Sequence, residues 1–214
     1  MTRVALIHAL AHSVGPINDV LAREWPECQR MNLLDDSLSA DLTRSAQGLD
    51  AAMHDRFEAL AVYAEGTGAT AILFTCSAFG PCIEAVAARR PAMPVLKPNE
   101  AMVADASAMG RRVGLIASFA PTLVSMPSEF PAGVAVVSDL AEGAMDALNA
   151  GQIERHDQIV TASALRLVKQ GCDVIALAQF SMARAENSVR HAVGVPVLTT
   201  PGSAVASLRR LLGV

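Results

Sequence analysis

The side chain best suited to chemistry in this 214-residue sequence is Cys76, one of four cysteines. It lies in the segment Thr75-Cys76-Ser77-Ala78-Phe79-Gly80, between a short apolar run and a helical pattern that begins around Pro81. Backbone N–H groups and the dipole at a helix N-terminus favour the thiolate form of a nearby cysteine. The segment therefore predicts an acid/base or nucleophilic thiol. Position alone leaves open the alternative of a small buried apolar side chain.

Other polar side chains follow the remaining predicted strands. His8 comes after the first strand, where it would serve as a second catalytic residue, a general acid, although a histidine with only local hydrogen bonds fits as well. Backbone N–H groups and the hydroxyls of Ser77 and Ser118 would suit a small carboxylate substrate. The predicted substrate-binding residues are Ser77, Ala78, Ser118, Phe119, Gln179, Phe180 and Ser181.

The other three cysteines and three of the histidines are predicted to have no part in chemistry. Packing is the expected role of Cys28, Cys82 and Cys172, and solvated helix surfaces are expected for His54, His156 and His191. The cysteine spacing fits no zinc site. The sequence also lacks G-x-G-x-x-G, G-x-x-x-x-G-K-[ST] and G-x-S-x-G, so the nucleotide-binding and serine-hydrolase motifs are missing. We expect no metal and no cofactor.

The elements that position these residues alternate between short apolar runs and longer helical patterns. Unbroken apolar runs are typical of parallel strands buried on both faces, and ligands bind beyond the carboxyl ends of such strands. Apolar positions recur at helical spacing from Ser39 to about Ala64 and from about Ile153 to Lys169. Strands are predicted at 4–10, 29–34, 71–75 and 94–96, and again at 113–117, 134–137, 174–178 and 196–198.

The two halves of the sequence resemble each other, which indicates an internal duplication. The matching runs are Gly68–Cys76 over Gly171–Gln179, Pro94–Lys97 over Pro196–Thr199, and Val4–Ile7 over Val113–Ile116. The alternative is that all strands of α/β proteins look alike. Duplication predicts an α/β fold of two pseudo-symmetric lobes, 1–98 and 99–214, each with a short parallel sheet flanked by helices. The site would lie in the cleft between them. It stays open whether the last helix packs back on the first lobe.

Composition excludes several classes of protein. Hydrophobic residues make up 52% and charged residues 18%, which excludes a disordered chain. A net charge of −4 and only six Phe, one Tyr and one Trp argue against nucleic acid as a partner. No apolar stretch reaches the length of a membrane span, and the cysteine usage favours the cytoplasm.

Two strand-end segments carry a resemblance to a known family. Phe74-Thr75-Cys76-Ser77-Ala78-Phe79-Gly80 and Ile175-Ala176-Leu177-Ala178-Gln179-Phe180-Ser181-Met182-Ala183, in this duplicated layout, resemble the aspartate/glutamate racemase superfamily. That group includes hydantoin racemases, maleate isomerases and arylmalonate decarboxylase. The resemblance implies a site between two lobes, no cofactor, cysteine chemistry at a carbon next to a carboxylate, and a homodimer. In the two-thiol members one cysteine follows the third strand of each lobe, and Cys76 matches the first position.

The sequence departs from the family pattern at the second position, where Gln179 stands in place of a cysteine. An amide does not titrate in the usable range, so it neither removes nor returns a proton. We expect a racemase-like or isomerase-like enzyme with a single cysteine, acting on an amino acid, a hydantoin or a dicarboxylate, with His8 supplying the second proton. The alternatives are a decarboxylase like arylmalonate decarboxylase and a non-catalytic protein that binds a small carboxylate.

Overall fold

The computed structural model describes residues 2–45 and 47–214, which form two compact units. Unit 1 takes in Met1–Pro98 and Ala204–Val214, and unit 2 takes in Asn99–Ser203. The strands of the described residues are β1 (Arg3–His8), β2 (Gln29–Leu34), β3 (Ala71–Phe74), β4 (Val95–Leu96), β5 (Arg112–Ala117), β6 (Ala135–Leu140), β7 (Val174–Leu177) and β8 (Val197–Thr199). The α-helices are α1 (Val14–Glu24), α2 (Ser37–Arg44), α3 (Ala51–Gly66), α4 (Gly80–Ala88), α5 (Glu100–Met109), α6 (Ala120–Ser125), α7 (Ala144–Asn149), α8 (Ile153–Lys169), α9 (Glu186–Ala192) and α10 (Thr200–Leu212).

Each unit contains one parallel four-stranded sheet, and the two sheets have the same strand order. The first sheet runs β2-β1-β3-β4 and the second β6-β5-β7-β8. The pairing registers also agree, because Val4 lies opposite Ala71 as Val113 lies opposite Val174. These are the residues that the repeats in the sequence align. The predicted α/β fold with two similar parallel sheets is therefore confirmed.

The longest helix of each unit packs an apolar stripe against its sheet. In unit 1, Phe57 of α3 lies 5.2 Å from Phe74 and 4.9 Å from Phe79, measured between ring centroids. In unit 2 the stripe of α8 begins at His156, one turn before the buried Val160. The prediction that His156 is solvated is wrong: it is 1% exposed, and its Nδ1 lies 2.7 Å from Asp157 Oδ1.

The helical spacing from Ser39 to Ala64 belongs to two helices rather than one. Between α2 and α3 the chain turns through Gly48, whose φ of 66° is in the left-handed region. Asp50 then begins α3 by accepting a hydrogen bond from the Met53 N–H at 2.9 Å. Periodicity alone continues across this break because both helices bury apolar residues on the same sheet face, among them Leu38 and Met53.

The packing role predicted for three cysteines is confirmed. Cys28, Cys82 and Cys172 are free thiols and are buried. Burial raises the pKa of all three, and in Cys82 the nearby Asp50 carboxylate adds to the effect and brings the pKa to about 11. These thiols are protonated at neutral pH. Among the described residues, no helix combines the length and the apolar character that crossing a membrane requires.

Candidate active site

Cys76 lies at the carboxyl edge of the first sheet, two residues beyond the end of β3. It begins a short 3₁₀ helix, Ser77–Phe79, which leads directly into α4. The thiol is half-buried. The backbone N–H of Ala78 and the hydroxyl of Ser39 are close enough to the sulfur to lower the pKa of the thiol. The Ser39 hydroxyl donates to the Ala9 carbonyl at 3.1 Å.

Burial raises the pKa of the Cys76 thiol by more than the hydrogen bonds from Ala78 and Ser39 lower it. The backbone N–H of Ala78 acts in the expected direction, towards the thiolate, and burial outweighs it. The 3₁₀ turn separates the sulfur from the first residue of α4, and apolar side chains surround its inner side. At neutral pH the sulfur carries a proton, so Cys76 is poised to donate one.

The inner side of Cys76 lines a narrow crevice in unit 1. The crevice has no gap wide enough for a water molecule. Its lining is Ile7, His8, Ala9, Leu38, Phe57, Phe74 and Cys76. The crevice is therefore too narrow to hold a substrate.

His8, the last residue of β1, is fully buried and is held at both ring nitrogens. Nδ1 lies 2.9 Å from Thr75 Oγ1, and Nε2 lies 3.0 Å from Asn32 Oδ1. Burial lowers the pKa of the imidazole, although the hydrogen bond to Asn32 opposes the shift. The structure brings Cys76 and His8 to one edge of the sheet, where both line the same crevice. The hydrogen-bond partners of the imidazole are Thr75 and Asn32.

Gln179 occupies the corresponding place in unit 2, two residues beyond the end of β7. Its Oε1 accepts hydrogen bonds from the backbone N–H of Ser118 at 2.6 Å and from the Ser118 hydroxyl at 2.9 Å. Because a backbone N–H only donates, these contacts identify which amide atom is oxygen. The Nε2 of the half-buried Gln179 then presents its two N–H donors on the other side.

The other predicted binding residues differ in accessibility. Ser77 and Ala78 are half-buried in the turn after Cys76, and Phe119 is exposed. Phe180 and Ser181 are buried in the 3₁₀ helix Phe180–Ala185. Within residues 2–45 and 47–214, no group of three or more His, Cys, Asp or Glu side chains is placed to hold a metal ion.

Sequence reasoning missed two residues of this region, Ser39 beside the sulfur and Asn32 beside His8. Asn32 also exchanges side-chain hydrogen bonds with Asn18, at 2.8 and 3.2 Å. A polar residue inside a short predicted strand was the one available signal for Asn32. Ser39 gave none, since a serine near a helix start is ordinarily a cap.

Comparisons with known proteins show the family and the fold of this chain. The sequence model of the Asp/Glu/Hydantoin racemase family matches residues 16–208. The allantoin racemase from Klebsiella pneumoniae superposes with a TM-score of 0.75 at 19% identity, covering 100% of this chain and 88% of that one. An aspartate racemase homologue from Pyrococcus horikoshii OT3 superposes with a TM-score of 0.75 at 14% sequence identity, and the match covers 100% of both chains. A mutant of arylmalonate decarboxylase in the sulfate-ion-associated form superposes with a TM-score of 0.68 at 18% sequence identity. The match covers 99% of this chain and 93% of that one. No curated protein sequence matches significantly.

Proposed function

This chain belongs to the Asp/Glu/hydantoin racemase family, and on that premise we propose that it is a cofactor-independent enzyme acting at the carbon next to a carboxylate of a small substrate. Cys76 is the acid/base group, and racemisation or isomerisation is the reaction. The proposal rests on one observation: the equivalent strand ends of the two units carry different functional side chains. A half-buried thiol follows β3, and an oriented amide follows β7 at the register-equivalent position. Amino acids, hydantoins and dicarboxylates are the substrate classes that fit.

In this mechanism Cys76 moves one proton at the reacting carbon. As thiolate, the sulfur takes the proton from the carbon, and the electron pair of the C–H bond passes into an enolate. Backbone N–H groups of the 3₁₀ turn, beginning at Ser77, stabilise the developing negative charge. The S–H group returns this proton to the same side of the carbon and regenerates the substrate, whereas a proton from water on the opposite side inverts the carbon, and the hydroxide left behind takes the proton of the S–H group. Because the thiol is protonated at rest, its proton must first leave to water before the cycle begins.

Gln179 and His8 have supporting roles in the proposal. The Nε2 donors of Gln179 bind a carboxylate or carbonyl oxygen of the substrate, and Ser118 holds the amide in that orientation. His8 has both ring nitrogens engaged, which favours a role in positioning the end of β3 through Thr75 over delivery of a second proton.

Decarboxylation is the second candidate, and the protonated state of the single thiol favours it. Loss of CO₂ breaks a carbon–carbon bond and leaves the electron pair on the carbon, so the step needs one proton donor and no base. The S–H of Cys76 supplies that proton, and the resulting thiolate takes another from water. A single donor on one side of the carbon is expected to give one configuration of the product.

A panel of amino acids, hydantoins, maleate and substituted malonates in deuterated water tests the proposal. Deuterium at the reacting carbon with loss of optical purity identifies a racemase, conversion of maleate identifies an isomerase, and CO₂ release identifies a decarboxylase. Each activity is expected to disappear in Cys76→Ala. Saturable binding of a panel member without turnover by the wild type would contradict the proposal and identify a binding protein instead.

A further inference from the structure

Ser39 is a polar residue of unit 1 to which the mechanism above gives no role. It is the third residue of α2 and is half-buried. Hydroxyls in helices commonly donate to the carbonyl four residues earlier, as those of Thr43, Ser107 and Thr161 do. Ser39 instead donates to the Ala9 carbonyl at 3.1 Å, 30 positions away. Its hydroxyl is therefore directed away from its own helix, towards the segment that follows β1.

The contacts of Ser39 place its hydroxyl beside the sulfur of Cys76. Its chain neighbour Leu38 and its hydrogen-bond partner Ala9 both line the narrow crevice to which Cys76 belongs. Among the described residues, the hydroxyl and the backbone N–H of Ala78 are the two groups that favour the thiolate form of the sulfur. The N–H is fixed by the backbone, whereas a hydroxyl turns about its C–O bond. Ser39 can therefore change its acceptor without any movement of the chain.

The protonation state of the sulfur decides which acceptor the hydroxyl prefers. A thiol sulfur is a weak acceptor, so beside the protonated Cys76 the hydroxyl of Ser39 donates to the Ala9 carbonyl, as observed. A thiolate carries a negative charge, and a hydrogen bond to an ionised group is roughly twice as strong as one between neutral groups. Loss of the proton therefore makes the sulfur the stronger acceptor.

We propose that Ser39 is a positioning residue whose hydroxyl turns from the Ala9 carbonyl to the sulfur of Cys76 when the thiol loses its proton, and turns back when the proton returns. The proposal rests on the proposed function, in which Cys76 alternates between thiol and thiolate. The hydroxyl keeps its own proton throughout, so it stabilises the thiolate without taking part in proton transfer. Together with the N–H of Ala78 it offsets part of the cost of a charge on a buried sulfur.

The titratable groups around Cys76 are neutral or paired at pH 8. His8 lines the same crevice, and Cys82 of α4 belongs to the core cluster against which Cys76 packs. Burial lowers the pKa of the His8 imidazole and raises that of the Cys82 thiol, so both groups are neutral. Charged groups of the surrounding elements bind one another, namely Asp35 and Asp41 with Arg56, and Glu84 with Lys97. The charge on the sulfur thus depends on its burial and on its two donors.

The rate at which iodoacetamide labels Cys76 in the free protein at pH 8, measured by peptide mass spectrometry, tests the proposal without requiring turnover. Below the pKa of the thiol this rate is proportional to the thiolate fraction. Ser39→Ala removes the hydroxyl and is expected to slow labelling about tenfold, which corresponds to a rise of about one unit in the pKa of Cys76. Ser39→Thr keeps a hydroxyl and is expected to restore most of the rate.

A merely structural role of Ser39 predicts a change of the opposite sign. Loss of the bond to Ala9 alone would loosen α2 and expose the sulfur, which lowers the pKa of Cys76 and speeds labelling. Ser37→Ala is the matched control, because Ser37 lies on the same helix but its hydroxyl donates to Asp35 at 2.6 Å. This control is expected to label at the wild-type rate.

Circular dichroism checks that each variant is folded. Where Ser39→Ala does not fold, Ser39→Val is compared with Ser39→Thr, since valine and threonine have the same shape and differ in the hydroxyl. Equal or faster labelling of the variant without a hydroxyl, or slowing that Ser39→Thr does not reverse, would overturn the proposal. The two proposals fail separately, because an absence of turnover in the deuterium panel leaves the labelling result standing, and unchanged labelling removes Ser39 alone.

Discussion

Replacing Cys76 by alanine is expected to lower kcat on the turned-over substrate by about a thousandfold and to change KM little. General acid/base groups contribute about 10²–10⁴-fold to rate, and Gln179 and the backbone donors that bind substrate remain in place. Cys76→Ser is expected to lower kcat nearly as much, because at neutral pH a hydroxyl of ordinary pKa is a much poorer proton donor and base than a thiol. The measurement is steady-state kinetics on the substrate found in the deuterium panel.

Cys28→Ala is the matched control for this prediction. Cys28 is also a free, buried cysteine of unit 1, but it precedes β2 and so lies at the amino edge of the same sheet. The Cys28→Ala variant is expected to keep kcat within about twofold of the wild-type value, since the substitution removes packing contacts but no group that takes part in the reaction. If a folded Cys76→Ala enzyme keeps half or more of the wild-type kcat, Cys76 is not the acid/base group.

Replacing Gln179 by cysteine is expected to add a protein proton donor on the second side of the carbon, where the proposed wild-type reaction relies on water. The register places residue 179 beyond β7 as Cys76 lies beyond β3, so the variant carries a thiol at both equivalent strand ends. A proton donor on each side of the carbon allows inversion. We expect the rate of inversion relative to deuterium exchange to rise at least about a hundredfold, which is the low end of the effect of an added acid/base group.

Gln179→Ser separates the effect of the thiol from the loss of the amide. Serine also removes the bond between Gln179 and Ser118 but adds no group that titrates near neutral pH, so it is expected to weaken substrate binding without raising inversion. Chiral chromatography of substrate recovered from deuterated water measures both rates. Equal inversion by Gln179→Cys and Gln179→Ser would contradict the assignment of the two strand ends.

The fold was predictable because its signals are local in the sequence. Strands buried on both faces leave unbroken apolar runs, and the repeats that align Val4 with Val113 and Ala71 with Val174 reappear as equal registers. The break before Asp50 was harder to see, because the apolar stripe continues across it. His156 was misassigned for a related reason, since a polar residue at the start of a buried stripe looks like the surface.

The chemistry of the site depended on contacts between residues far apart in the chain. The pKa of Cys76 rises because side chains such as Leu38 and Phe57 bury its inner side, and their approach is not encoded near the cysteine. The bond between Ser118 and Gln179 joins residues 61 positions apart.

Labelling with iodoacetamide, followed by peptide mass spectrometry and activity assays on the same samples, tests the role of Cys76 most directly. Because burial raises the pKa of this thiol above the ordinary value of 9.0, and the thiolate is the reactive form, its labelling rate should still be rising at pH 9. Activity is predicted to fall in proportion to the label on Cys76, and a turned-over substrate is predicted to slow that labelling. Full activity in protein whose Cys76 is completely alkylated would contradict the account.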